Sequence, residues 1–215
     1  TNEKIGVSAK ACSNNAQMAL TTVSVFCDML RESGIDVSED AEIGLKMFCG
    51  EVGYRPIDGY THKDMSNVSP NRKARPDRWF WEELSNQVKQ EWEKIFTENQ
   101  LKITIMLLQC ARTYKTDNYK PTYILHECEK HNDIDDCKVA VMSVEEFAIY
   151  SQLFDSFGIK GKRILKGSYK GIDMAIHQYP HFGFIQFQPI GNQQNFLELQ
   201  FNFSLLFICS LPVQL

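Results

Sequence analysis

Between Pro180 and Phe187 the chain reads Pro-His-Phe-Gly-Phe-Ile-Gln-Phe, an order of aromatic, glycine and β-branched residues that fits an extended strand. Successive strand side chains point to opposite faces, so if Gly183, Ile185 and Phe187 turn inward, Phe182 and Phe184 turn outward. Two outward rings call for a flat partner, and stacking a nucleobase on an aromatic ring is worth about 1–3 kcal/mol. Downstream, Leu197, Leu199, Phe201, Phe203 and Leu205 alternate with Glu198, Gln200, Asn202 and Ser204, a second strand pattern, and Gly191 to Asn195 supplies the turn between the two runs. Upstream, Ile172, Met174 and Ile176 alternate with Asp173, Ala175 and His177 and predict a third strand before Tyr179-Pro180.

Val139 to Val144 predicts a strand that leads into a helix from Ser143 to Gly158. Ser143 and Glu146 form a capping box, Phe147, Tyr150, Phe154 and Phe157 recur at helical spacing with Ile149 and Leu153 widening the flank, and Gly158 suits the residue after a helix. Over residues 138–190 this order resembles the RNA recognition motif family, whose third-strand signature is matched by Phe182, Gly183, Phe184, Ile185 and Phe187. Pro180 and His181 stand where the family carries a basic residue and a glycine, and Ala140 replaces a stacking aromatic in the first strand. The family also places a helix where Leu197 to Leu205 reads as a strand. The resemblance implies a sheet that binds single-stranded RNA on its aromatic face; the alternative is an antiparallel meander covered by a helix, with Phe182 or Phe184 buried under a neighbouring element.

The first half is helical in pattern. Ala16, Leu20, Val23, Cys27 and Leu30 form a stripe from Ser13 to Gly34, and a second helix starts at Ser38, where Glu39, Asp40 and Glu42 suit the positive end of its dipole and Ile43, Met47 and Phe48 form its buried flank. Periodicity disappears from Tyr54 to Pro76 among four prolines and glycines that punctuate a loop or linker. Asp77 caps an aromatic turn with Trp79, Phe80 and Trp81, Ser85 opens a helix whose Val88, Trp92, Ile95 and Phe96 share a face, and Leu101 to Cys110 is a buried helix or strand. The expected fold class is α+β: a mainly helical region over 1–120 with a joint at 54–76, then an antiparallel sheet with a packed helix over 121–215.

A net charge of −4 excludes a molecule-wide basic field, so any contact with nucleic acid must be local. Arg72, Lys73, Arg75 and Arg78 form one basic cluster beside Trp79 and Trp81, and Lys160, Lys162, Arg163, Lys166 and Lys170 form another. Seven cysteines without framework spacing, with Cys27 and Cys49 on helices, predict reduced buried thiols and an intracellular protein, cytoplasmic or nuclear. No apolar run spans a bilayer, Thr1 to Lys4 lacks a signal pattern, and the start on Thr1 suggests a processed or excised chain.

His126, Cys128, His131 and Cys137 offer two imidazoles and two thiols, ligand types suited to zinc, in a spacing that matches no recognised finger or knuckle. Phosphate-binding, dinucleotide, nucleophile-elbow and zinc-protease motifs are all missing, so no cofactor and no familiar catalysis is expected. The resulting expectation is non-catalytic binding of single-stranded RNA or DNA. Phe182 and Phe184 stack bases, Lys162, Arg163, Lys166 and Lys170 contact phosphates, and Gln186 or Gln188 meets a base edge. Two further classes stay open: a structural or assembly protein of the viral or retroelement coat type that self-associates through the aromatic face, and an enzyme with its site between the halves.

Overall fold

The ladder bonds of the two earliest strands go to strands far along the chain, and this decides the architecture. A computed structural model describes residues 5–11, 16–55, 78–110, 120–127, 139–163, 176–189 and 198–203. β1 (Val7–Ala11) lies parallel to β3 (Tyr123–Glu127), which pairs antiparallel with β4 (Val139–Ser143) in a three-stranded sheet. β2 (Ala16–Thr22) pairs antiparallel with β8 (Glu198–Phe203) at one edge of a five-stranded sheet, which continues through β7 (Ile185–Pro189) and β6 (Ile176–Phe182) to β5 (Gly158–Arg163). With α-helices against these sheets the chain is α+β, as expected, but its early residues contribute strands to both sheets.

The stripe from Ala16 to Leu30 divides at Thr22, because β8 claims Ala16 to Thr22 as a strand and α1 (Val23–Glu32) begins only afterwards. Thr22 caps that helix by accepting from the Val25 N–H at 3.3 Å. α2 (Glu39–Cys49) starts where the sequence puts it, with Ser38 accepting from the Ala41 N–H at 3.1 Å and Gly50 closing the far end at φ +73°. Trp81–Glu83 is a single 3-10 turn, and α3 (Asn86–Cys110) takes in Leu101 to Cys110 as helix, with a bend at Asn99, whose Nδ2 donates to the Ile95 carbonyl at 3.0 Å. α4 (Val144–Ser151) has the expected capping box, but it stops well before Gly158, which opens β5. Ile149 and Leu153, expected on the buried flank, are 58% and 74% exposed. The joint at 54–76, Asp77, Ile172 to Ala175 and the turn at 191–195 fall largely or wholly outside the described residues.

Pro180 to Phe187 is not one strand but a hairpin. β6 ends at Phe182, β7 begins at Ile185, and Phe182 pairs directly with Ile185 across the two-residue turn Gly183-Phe184. Gly183 has φ +53°, open to glycine and strained for other residues, and a Cβ there would come within 2.7 Å of Gln100 Nε2 and 2.9 Å of the Ser151 carbonyl oxygen. The reversal removes the alternation on which two outward rings depended. Phe182 is fully buried and Phe184 is 6% exposed.

Register sorts the five-stranded sheet into two unlike faces, since directly paired residues share a side. On one side stand Phe182, Ile185, Phe187, Pro189, Leu199, Phe201, Ala19 and Thr21. Helices cover that side: Phe96 of α3 stacks on Phe182 at 4.4 Å and meets Phe187 at 4.9 Å, Phe26 of α1 packs on Phe201 at 5.0 Å, and Phe48 of α2 meets Phe187 edge-on. Phe184 is held at the hairpin tip by Phe147 and Phe154, both edge-on.

These contacts reverse the expected consequence of cutting the two rings. Phe182→Ala should lower folding stability by about 3–5 kcal/mol, the range for a buried phenylalanine, and Phe184→Ala should also destabilise the chain, both read from urea unfolding midpoints. Midpoints equal to the parent's would show that the rings lie outside the core.

Candidate functional site

On the side opposite Phe182, Phe187 and Phe201, register places several amide residues. Gln17, Asn202, Gln186, His181 and Gly158 form one unbroken row across all five strands, each directly paired with the next. Leu20, Gln200 and Gln188 form the neighbouring row. β5, the edge strand, adds Lys160 and Lys162, which register on the same side as Gly158. Of the expected phosphate contacts, Lys162 therefore falls on the side that also carries Gln186, Arg163 registers on the opposite side, and Lys166 and Lys170 lie outside the described residues. Neither Phe182 nor Phe184 stands on this face of the sheet as an exposed ring, because both are buried.

At one corner of this face the strand order changes character. The β6–β7 ladder holds only at His181 and Phe182, and Pro180, with no N–H to give, marks where it stops. Beyond it β6 is tied elsewhere: the Gln178 N–H donates to Glu82 Oε2 at 3.2 Å, and Arg78 Nη2 donates to the Tyr179 hydroxyl at 2.9 Å. Tyr179, though in register with Lys160, is buried against Phe48. Arg78 is itself buried, with its guanidinium about 5.8 Å from the rings of Phe48, Phe80 and Tyr179, so it is part of the core rather than a phosphate contact. Trp79 and Trp81 are likewise buried. Arg72, Lys73 and Arg75 lie outside the described residues.

Beside the hairpin tip a cavity of about 530 Å3 is lined by Leu153, Phe154, Asp155, Lys160, His181, Gly183 and Phe184. Its back wall exists because Gly183 sits against Ser151 and Gln100, and Gln100 Nε2 donates to the Ser151 carbonyl at 2.9 Å, joining α3 to α4. The Gly183 N–H donates to the Asp155 carbonyl, which closes the turn after α4 over the hairpin. His181 packs on bare Gly158 backbone, where a Cβ would come within 2.5 Å of its ring. His181 Nε2 lies 3.6 Å from Asp155 Oδ2, and its Nδ1 is buried without a hydrogen-bond partner. Burial, and then the nearby Lys160 charge, hold His181 below the usual histidine range, with Asp155 pulling the other way. Among the described residues the lining offers an imidazole, a carboxylate and an ammonium, groups that can hold a polar ligand.

His126 lies on β3 between Lys10 and Ala140, while Cys128, His131 and Cys137 fall outside the described residues. Among the described residues no group of three or more His, Cys, Asp or Glu is placed to hold a metal ion. Cys27 and Cys49 are buried free thiols, and burial pushes Cys27 up to about 12, so neither presents a reactive thiolate. Among the described residues no helix is long and apolar enough to cross a membrane. The three-stranded sheet has a different open side, where Val7, Ala9, Tyr123, Leu125 and Val141 are all exposed.

The two stretches that resemble the RNA recognition motif lie in separate sheets, β4 beside β3 and the Phe182–Phe187 hairpin between β5 and β8. No family model matches the chain, and no curated protein sequence matches it.

A histidine held below its unfolded value of 6.5 makes folding stability depend on pH. As pH falls through 6.5 the unfolded chain takes up the proton first, so the stability associated with neutral His181 is complete above that pH and is lost as pH falls toward the folded value. Melting temperature should therefore drop less between pH 7 and pH 5 in His181→Gln than in the parent. Parallel curves for the two proteins would refute the shifted titration.

Proposed function

We infer that the chain binds single-stranded nucleic acid, RNA in the first instance, across the amide side of its five-stranded sheet and without catalysis. The observation that supports this reading is the register of the sheet: Phe182, Ile185, Phe187 and Phe201 fall on the side that helices cover, Gln17, Gln186, Gln188, Gln200 and Asn202 fall at positions of the other side, and the row through Gln186 ends at His181 and Gly158, with Lys160 and Lys162 further along β5. Side-chain amides carry both donors and acceptors and suit base edges, which unpaired strands expose. The edge lysines supply the local positive charge that a chain of net charge −4 lacks overall. Stacking on Phe182 and Phe184 has no part in this reading.

Fluorescence anisotropy with labelled oligonucleotides over a salt series separates the two contributions. The Lys160→Gln, Lys162→Gln double variant should weaken binding to all sequences and reduce the log–log salt slope by about 1.4, from about 0.7 per lost phosphate contact. Gln186→Ala with Gln188→Ala should change base preference and leave that slope as it was. Salt-independent binding, or none at low salt, would remove the reading.

The assembly class is favoured by a different observation from the one first expected. Phe182 and Phe184 pack inside the chain, but the side bearing Val7, Tyr123, Leu125 and Val141 is apolar and exposed, and β1 is an edge strand of that sheet. On this second reading two copies meet there. Sedimentation equilibrium should then show a mass that rises with concentration in the parent and stays monomeric in Val141→Lys; a concentration-independent monomeric mass for the parent rejects it.

A further inference from the structure

The cavity beside the hairpin tip brings aromatic, cationic and hydrogen-bonding groups to one place. Phe154 and Phe184 give it aromatic walls, Lys160 a cation, and His181 and Asp155 hydrogen-bonding groups. His181 is only 5% exposed and its Nδ1 is buried, so its ring forms a packed polar wall of the cavity beside Asp155. Asp155 is 79% exposed at its side chain and keeps acceptor capacity beyond its 3.6 Å approach to His181. The volume, about 530 Å3, lies within the range of small-molecule sites.

We propose that this cavity holds one unstacked nucleobase with its phosphate: the base against Phe154, its polar edge toward His181 and Asp155, and the phosphate at Lys160. The chemistry of each group matches a part of that ligand. An aromatic wall takes the flat ring, an ammonium takes the phosphate, and a carboxylate accepts from exocyclic amines, which favours adenine, cytosine and guanine over uracil. The inference deepens the strand-binding reading and rests on it for the route in. His181 belongs to the same cross-strand row as Gln186, so a strand lying over the amides reaches the cavity mouth at the end of that row, where its terminal or extruded nucleotide turns inward.

Titration calorimetry of the full chain with the four ribonucleoside 5′-monophosphates and the matching nucleosides tests this, with oligonucleotides measured in parallel. The amino-bearing monophosphates should saturate the protein and bind more tightly than their nucleosides. Lys160→Ala, an exposed position, should erase that difference, and Phe154→Leu, which keeps apolar packing but loses the flat ring, should weaken binding by about tenfold or more. Failure of every monophosphate to saturate the folded parent overturns the proposal, as do unchanged affinities in both variants. The oligonucleotide arm judges the strand reading separately: monophosphate binding without oligonucleotide binding leaves the cavity occupied and removes the amide face, and the opposite pattern removes only the cavity.

Discussion

The stacking of Phe96 on Phe182, at 4.4 Å and 19° between planes, is the contact on which the rest of the arrangement depends. Phe96 also touches Phe26, Trp92, Phe157 and Phe187, so one ring of α3 links α1, the turn before β5 and two strands of the five-stranded sheet. Offset aromatic pairs add about 0.5–1.5 kcal/mol each beyond their buried area. More important than the sum is the direction. By drawing Phe182, Phe187 and Phe201 to one side, the helices commit that side to the interior, and the period of two in β7 and β8 then leaves Gln186, Gln188, Gln200 and Asn202 on the other. The candidate binding surface is the residue of a packing decision.

Local chemistry was legible in the sequence and long-range pairing was not. Ser38 and the Ser143–Glu146 box mark helix starts because a hydroxyl and an orphan amide are neighbours along the chain whatever the rest does. The alternation at 198–203 was legible for the same reason. The apolar spacing of Ala16 to Thr22 fits a helix stripe, while the partner that makes it a strand, β8, lies some 180 residues away. The extent of α4 has a different cause: aromatics at helical spacing continue through Phe154 and Phe157, but these rings turn toward the hairpin and toward Phe96 from a non-helical segment.

The Phe-Gly-Phe sequence shows how a single dihedral changes a functional argument. Read as an extended strand, it puts two rings on the solvent side; with Gly183 at φ +53° the chain reverses, and both rings enter the core. Glycine is compatible with either conformation, so the residue order alone cannot choose between them. In the hairpin that forms, Ser151 and Gln100 crowd the tip so closely that a Cβ at Gly183 would clash with them. His181 was unremarkable in the sequence for a related reason: its significance comes from Gly158, Asp155 and Lys160, brought to it by a strand pairing and by the turn after α4.

A surface made of amides and edge lysines predicts a different style of recognition from an aromatic platform. Stacking is tolerant of sequence because every base has a π-face, whereas amides discriminate donors from acceptors and add little nonspecific affinity. With net charge −4, long-range attraction to a polyanion is unfavourable, so on the proposed reading encounter would depend on Lys160 and Lys162, whose field is screened within about 8–10 Å. Such a protein gains little from sliding along nucleic acid and more from a ligand that offers unpaired bases. That requirement is met where a strand is already single, and on the proposed reading the cavity at the end of the amide row would add, through Phe154, the one stacking contact that the sheet itself does not offer.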